Sequence, residues 1–243
     1  MKRILIINPN TSQSISELLQ LHAARVAGPA SAVAVCTARF GAPYITCEAS
    51  YAVAGHAVLD AWACALSPQK ERFHSVLIGC FGDPGLLALR EVSQVPVTGL
   101  AEASFTEAAR SGRFAIVTGG ARWVPILERL AHALGFSALL AGIHTVAPSG
   151  AQLAADPIAA QTLLAQACNA AASRYGVEVI ILGGAGLAGM AELIQPLVRA
   201  RLIDSVVSAT TCAVDRAATD AAQARKTFDF PWKNLSSEMQ DLS

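Results

Sequence analysis

The strongest constraint on this chain is a pattern that it states twice. An apolar run closing on small polar residues appears as Arg3-Ile4-Leu5-Ile6-Ile7-Asn8-Pro9-Asn10-Thr11 and returns as Arg113-Phe114-Ala115-Ile116-Val117-Thr118-Gly119-Gly120-Ala121. A second unit, Ile78-Gly79-Cys80-Phe81-Gly82-Asp83-Pro84-Gly85, returns as Leu182-Gly183-Gly184-Ala185-Gly186-Leu187-Ala188-Gly189. Each unit reads as a buried strand opening into a glycine-rich turn and then a helix, so the chain is an internal repeat of two similar halves. Between these units, branched apolar runs alternate with alanine-rich segments, the pattern of a parallel sheet covered on both faces.

Strands are expected at Arg3–Asn8, Val33–Thr37, Ser75–Gly79, Val95–Thr98, Arg113–Thr118, His144–Val146 and Val177–Gly183, with another near Ile203–Val207. Ser12 or Ser14 can cap a helix running to about Val26, and Asp156-Pro157 opens one that ends at Tyr175 ahead of Gly176. The fold class is therefore α/β, with two pseudo-symmetric Rossmann-like halves, each a mainly parallel sheet with helices on both faces. The first half takes residues 1–99 and a late segment from about 208 to 243; the second takes 100–207. Open α/β sheets place ligands at the carboxyl ends of their strands, so the two halves should face each other across one cleft. The tail motif Phe228-Asp229-Phe230-Pro231-Trp232 breaks the pattern, and its aromatic residues suit packing on the body or on a neighbouring subunit.

Composition narrows the function classes. The 243 residues are 53% hydrophobic with a formal net charge of zero, and no Lys/Arg cluster offers a basic stripe for nucleic acid or an anionic membrane. The apolar run Ile4 to Ile7 is too short for a signal peptide or a membrane span, which points to the cytoplasm. Cys36, Cys47, Cys64, Cys80, Cys168 and Cys212 form no CxxC pair and no short-spaced metal set with histidine. Most read as small buried hydrophobes of a reducing compartment, and no metal or cofactor is called for. His144 has no ligand partner in sequence and reads as structural.

Cys80 is the exception among the thiols. A strand feeding a helix through small residues places it over free backbone N–H groups, which should stabilise a thiolate and lower its pKa. Its place in the second half is taken by Gly184, so chemistry that needs two opposed thiols would be lopsided. Asp83 before Pro84 reads as the N-terminal cap of the helix that follows. The loop Gly41–Glu48 could fold over the cleft mouth and bring Cys47 or Glu48 in as a substitute base.

The stretches Ile7-Asn8-Pro9-Asn10-Thr11-Ser12, Cys80-Phe81-Gly82-Asp83-Pro84-Gly85 and Leu182–Gly186 together resemble the Asp/Glu/hydantoin racemase superfamily, closest to its hydantoin and allantoin racemase branch, over nearly the full chain. The resemblance implies a cofactor-independent racemase in which two cysteines, one from each half, flank the substrate's stereocentre. The first matches Cys80 and the second falls at Gly184, a vacant second-base position. It also implies a small-molecule substrate (a hydantoin, ureide or carboxylate) and a homo-oligomer.

Inverting a carbon acid through a planar enolate needs an acid and a base on opposite faces. One thiol returns the proton to the face it came from. The developing oxyanion needs aimed donors; the candidates are the N–H groups of the Phe81–Gly82 and Gly184–Ala185 turns, with Asn10, Thr118 and Gly119 from the paired strand ends. Asn8 and Asn10 also read as plain turn residues, and Thr118 as a helix cap. Three functions follow: a racemase using Cys80 and a non-cysteine partner or water, a single-cysteine lyase like arylmalonate decarboxylase, and a binding protein that has lost turnover. Arg39, Arg90 and Arg122 are the arginines that could turn inward to meet a substrate carboxylate.

Overall fold

Two four-stranded parallel sheets carry the chain, and they are built alike. The computed structural model describes residues 1–66, 72–148, 152–153, 156–218 and 232–241. Strands β1 (Lys2–Asn8), β2 (Ser31–Thr37), β3 (Ser75–Ile78) and β4 (Val97–Gly99) lie in the order β2-β1-β3-β4, and β5 (Phe114–Gly119), β6 (Leu140–Val146), β7 (Val179–Leu182) and β8 (Arg201–Asp204) in the order β6-β5-β7-β8. The register confirms the repeat residue by residue. Ile7 of β1 lies beside Ile78 of β3, and Val117 of β5 beside Leu182 of β7. One residue on, Gly79 N–H donates to the Ile7 carbonyl at 2.8 Å and Gly183 N–H to the Val117 carbonyl at 3.0 Å. Cys80 and Gly184 are thus structural counterparts.

Alternate residues of the inner strands feed different cores. Ile4, Ile6, Leu77, Phe114, Ile116, Val179 and Ile181 join one central cluster shared by both halves. Leu5, Ile7, Val76 and Ile78 face an outer cluster on the first sheet, and Ala115, Val117, Ile180 and Leu182 one on the second. Both faces of each sheet are buried, which is why these strands read as unbroken apolar runs rather than alternating ones.

The helices are α1 (Gln13–Ala27), α2 (Glu48–Ala65), α3 (Leu86–Val92), α4 (Leu100–Ala109), α5 (Trp123–Ala133), α6 (Pro157–Tyr175), α7 (Met190–Ile194), α8 (Ser205–Asp215) and α9 (Ser237–Gln240). Strand β4 runs straight into α4, which packs on β7 and β8, while β8 runs straight into α8, which packs on β1, β3 and β4. Each half lends a helix to the other. Of the tail motif, Phe228 to Pro231 lie outside the described residues.

Every strand differs from expectation at one end or both, and the shifts at the fourth, sixth and eighth strands have clear physical reasons. The fourth strand begins at Val97 rather than Val95 because Pro96 has no N–H to give; its carbonyl accepts from Val76. The sixth begins at Leu140 rather than His144, and Gly142 inside it leaves room for the Tyr175 ring, which a Cβ would meet at 2.2 Å. The eighth ends at Asp204, not Val207. The Asp204 carboxylate accepts from Val206 N–H at 2.9 Å and Val207 N–H at 3.2 Å, which turns the branched run Ser205-Val206-Val207 into the first turn of α8.

Candidate active site

The loops after β1 and β3, and those after β5 and β7, diverge at the points where strand order reverses in each sheet, the places where such sheets bind ligands. Asn10 and Cys80 come from the first pair, Thr118 and Gly184 from the second, and they line one cleft with Ile15, Tyr44, Ile45, Gly79, Phe81, Trp123, Ala185 and Gly186. Of the expected substrate-binding residues, Asn10, Phe81, Thr118, Gly184 and Ala185 are brought together there. Gly82 and Gly119 do not line it; Gly82 sits against the Trp123 ring and Gly119 ends β5. Ile15, Tyr44, Ile45, Gly79, Trp123 and Gly186 are added to the expected set. From the loop 38–47, Tyr44 and Ile45 line the cleft, and the loop is tied down by Thr11 N–H donating to the Ala42 carbonyl at 3.1 Å.

Cys80 is buried, and the turn amides do not serve its sulfur. Gly82 and Asp83 N–H both donate to the Cys80 carbonyl at 3.0 Å. Burial, and secondarily the Asp83 carboxylate, push the thiol well above its ordinary value, opposite to the lowering that the glycine-rich turn suggests. The Phe81 ring lies against Gly183, where a Cβ would come within 2.3 Å of it, and it meets Phe105 of α4 edge-on with centroids 6.1 Å apart. The thiol's own turn therefore touches the turn of the other half.

The polar groups of the cleft are few and mostly committed. Asn10 Oδ1 accepts from Ser12 N–H at 2.9 Å and Asn8 Nδ2 at 3.1 Å, which fixes the amide orientation and leaves its NH₂ without a partner among the described residues. Thr118 donates its hydroxyl to the Gly183 carbonyl at 2.8 Å instead of capping a helix. Gly184 N–H is taken by Ser205 Oγ at 3.2 Å, and Gly184 has φ +144°, a left-handed conformation that Cys80, its counterpart, does not share. Backbone N–H groups of Phe81, Ala185 and Gly186 have no partner among the described residues and remain available to an oxyanion.

Neither proposed substitute base lines the cleft. Glu48 makes a two-pronged ion pair with Arg129 of α5, at 2.6 and 2.9 Å, and Cys47 caps α2, where the Ser50 hydroxyl and backbone lower its thiol to about 7. Asp83 does not cap α3; that position is Gly85. Its carboxylate instead accepts from Ala101 and Glu102 at the start of α4. Arg39 pairs with Asp60 and Glu238, Arg90 with Glu102, and neither these nor Arg122 line the cleft. Among the described residues no three His, Cys, Asp or Glu side chains gather as metal ligands, and no helix is long and apolar enough to cross a membrane.

As the side chains stand, the cavity measures about 30 Å³, far below the roughly 300–1,000 Å³ of typical small-molecule pockets.

Residues 4–213 match the family described as Asp/Glu/Hydantoin racemase. The hydantoin racemase of Pseudomonas sp. (strain NS671) is 28% identical over 207 residues, covering 85% of this chain and 82% of that protein. The hydantoin racemase of Paenarthrobacter aurescens is 30% identical over 208 residues, covering 85% and 87%. The allantoin racemase from Klebsiella pneumoniae superposes with a TM-score of 0.81 at 34% identity, covering 88% of this chain and 86% of that one. With its doubled sheet and its paired turns meeting at one cleft, this chain belongs to the Asp/Glu/hydantoin racemase family.

Proposed function

We propose that this protein is a cofactor-independent racemase-type enzyme that moves a proton at the acidic C–H of a neutral hydantoin- or ureide-type ring, with Cys80 as the acid/base on one face. The observation that carries this reading is a cleft with one thiol, free backbone donors and no charged side chain among its lining residues. In the forward step the Cys80 thiol, held protonated by burial, first gives its proton to solvent water; the C–H bond then breaks toward the thiolate, the electron pair moves into the adjacent carbonyl, and the thiol is re-formed. The N–H groups of Phe81, Ala185 and Gly186 and the Asn10 NH₂ suit the enolate oxygen, and each such donor is worth about 10²–10³ in rate.

On the opposite face the second half offers Thr118, Trp123, Gly184, Ala185 and Gly186. The Thr118 hydroxyl is already donated, so no side chain there acts as acid or base. Water on the Gly184 side supplies the other face. Replacing a positioned acid/base by water costs about 10²–10⁴ in rate, so exchange with retained configuration outruns inversion.

The test is a panel of 5-substituted hydantoins, allantoin, aspartate, glutamate and arylmalonates in heavy water, followed by proton NMR and polarimetry. Deuterium entry at the ring C–H of a hydantoin or allantoin is the expected result. Turnover of amino acids alone, or carbon dioxide release from an arylmalonate, would overturn the neutral-ring assignment.

A further inference from the structure

Asp83 is fully buried and lies outside the cleft, yet it touches both the thiol's turn and the helix that reaches the other half. Its N–H closes the turn onto the Cys80 carbonyl at 3.0 Å, and its backbone has φ +50°, unusual for a residue with a side chain. Its Oδ1 accepts from Ala101 N–H at 2.9 Å and its Oδ2 from Glu102 N–H at 2.8 Å. Gly99, at the junction of β4 and α4, must lack a Cβ for this to exist, because one built there would fall 2.1–2.4 Å from the Asp83 carboxyl atoms.

The second half makes the same link with the roles exchanged. Asp204, at the start of α8, accepts from Gly189 N–H at 2.7 Å, beyond the Gly184 turn, as well as from Val206 and Val207. In both halves a carboxylate, buried at Asp83 and partly buried at Asp204, joins the segment after the third strand to the helix after the fourth. In the first half that carboxylate is carried by the thiol's own turn, and the helix it grips packs on β7, the strand that leads to Gly184. Backbone strain of this kind persists only where surrounding contacts over-determine it, as they do at functional sites.

We propose that Asp83 is the positioning residue of Cys80: by closing the Cys80 turn and gripping the start of α4, it registers the thiol against the opposite wall of the cleft. This rests on Cys80 being the acid/base. A misplacement of about 1 Å at a reacting group costs about 10² in rate, so Asp83→Asn, which puts NH₂ where an amide N–H must be accepted, should lower kcat for exchange about 10²-fold with little change in KM. Gly99→Ala keeps the carboxyl but pushes a methyl into it, and should give the same loss.

The experiment measures kcat and KM for deuterium exchange in both variants, the rate of Cys80 alkylation by iodoacetamide, and amide exchange at Ala101 and Glu102. Lower kcat, altered Cys80 alkylation and faster amide exchange support the proposal; folded variants that keep wild-type kcat and alkylation overturn it. Should both variants fail to fold, wild-type protein alkylated at Cys80 takes their place. Coupling between two sites is reciprocal, so its Ala101 and Glu102 amides must exchange faster, and unchanged protection overturns the proposal. Cys80→Ala separates the two ideas: activity surviving that change removes the acid/base reading, while the amide and alkylation readouts still judge the Asp83 link.

Discussion

Gly184→Cys puts a thiol where the repeat places the counterpart of Cys80, and the structure sets both its cost and its gain. A Cβ on the present backbone meets only Leu187, at 3.6 and 3.7 Å, which is ordinary van der Waals contact. The obstacle is φ +144°. Holding a residue with a side chain in such a conformation costs about 1–3 kcal/mol. Rotating the peptide to a Cys80-like conformation instead gives up the 3.2 Å bond from Gly184 N–H to Ser205, worth about 0.5–1.5 kcal/mol. The second route is cheaper. At about 2–4 °C per kcal/mol for a chain of this size, the variant should melt roughly 1–6 °C below wild type and remain folded. With a thiol on the vacant face, inversion should rise about 10²–10⁴-fold while exchange changes little. Polarimetry and proton NMR on one sample read both rates, and calorimetry reads the melting point. A folded variant whose inversion rate stays at the wild-type value would refute the opposition of Gly184 and Cys80 across the substrate.

The double variant Cys47→Ala with Glu48→Gln should leave exchange unchanged, since neither residue lines the cleft, and should barely move the melting point because the Glu48–Arg129 pair is solvent-screened; a large rate loss would return one of them to the site. Gly183→Ala drives a methyl into the Phe81 ring at 2.3–2.6 Å and should destabilise by about 1–3 kcal/mol through overpacking, read by denaturant melts. Burial pushes the Asp83 carboxyl up to about 7 from 3.8, against the pull of the Ala101 and Glu102 amides, with Cys80, Tyr51, Glu102 and Arg90 as its charged or titratable neighbours. The native state then holds a proton that the unfolded chain releases. The resulting stability is complete below pH 3.8 and is lost as pH rises through about 7. Asp83→Asn should flatten that part of the stability curve, and parallel curves for the two proteins would contradict it.

The strands and the pairing of Cys80 with Gly184 were legible because both-sided burial and a repeated glycine turn leave marks in one dimension. Pro157 just inside α6 and Gly176 just beyond it marked that helix well. What escaped depends on which groups meet across the fold. Asp83 carried an acceptor's signature, but its donors lie on the helix after the next strand, not on its own. Trp123 and Tyr44 line the cleft from positions with no spacing relation to Cys80, though an aromatic residue soon after a repeated strand end is a signal that could have marked Trp123. The raised Cys80 thiol escaped because glycine-rich turns suggest exposed amides. Here those amides fold back on the residue's own carbonyl.

The most direct measurement is the ratio of deuterium incorporation to inversion for one enantiomer of a 5-substituted hydantoin or allantoin in heavy water, for wild type and Cys80→Ala. A single thiol facing a vacant wall predicts incorporation exceeding inversion by about 10²–10⁴ and the loss of both catalysed rates in the variant. Inversion keeping pace with incorporation, or exchange surviving without Cys80, would contradict the account.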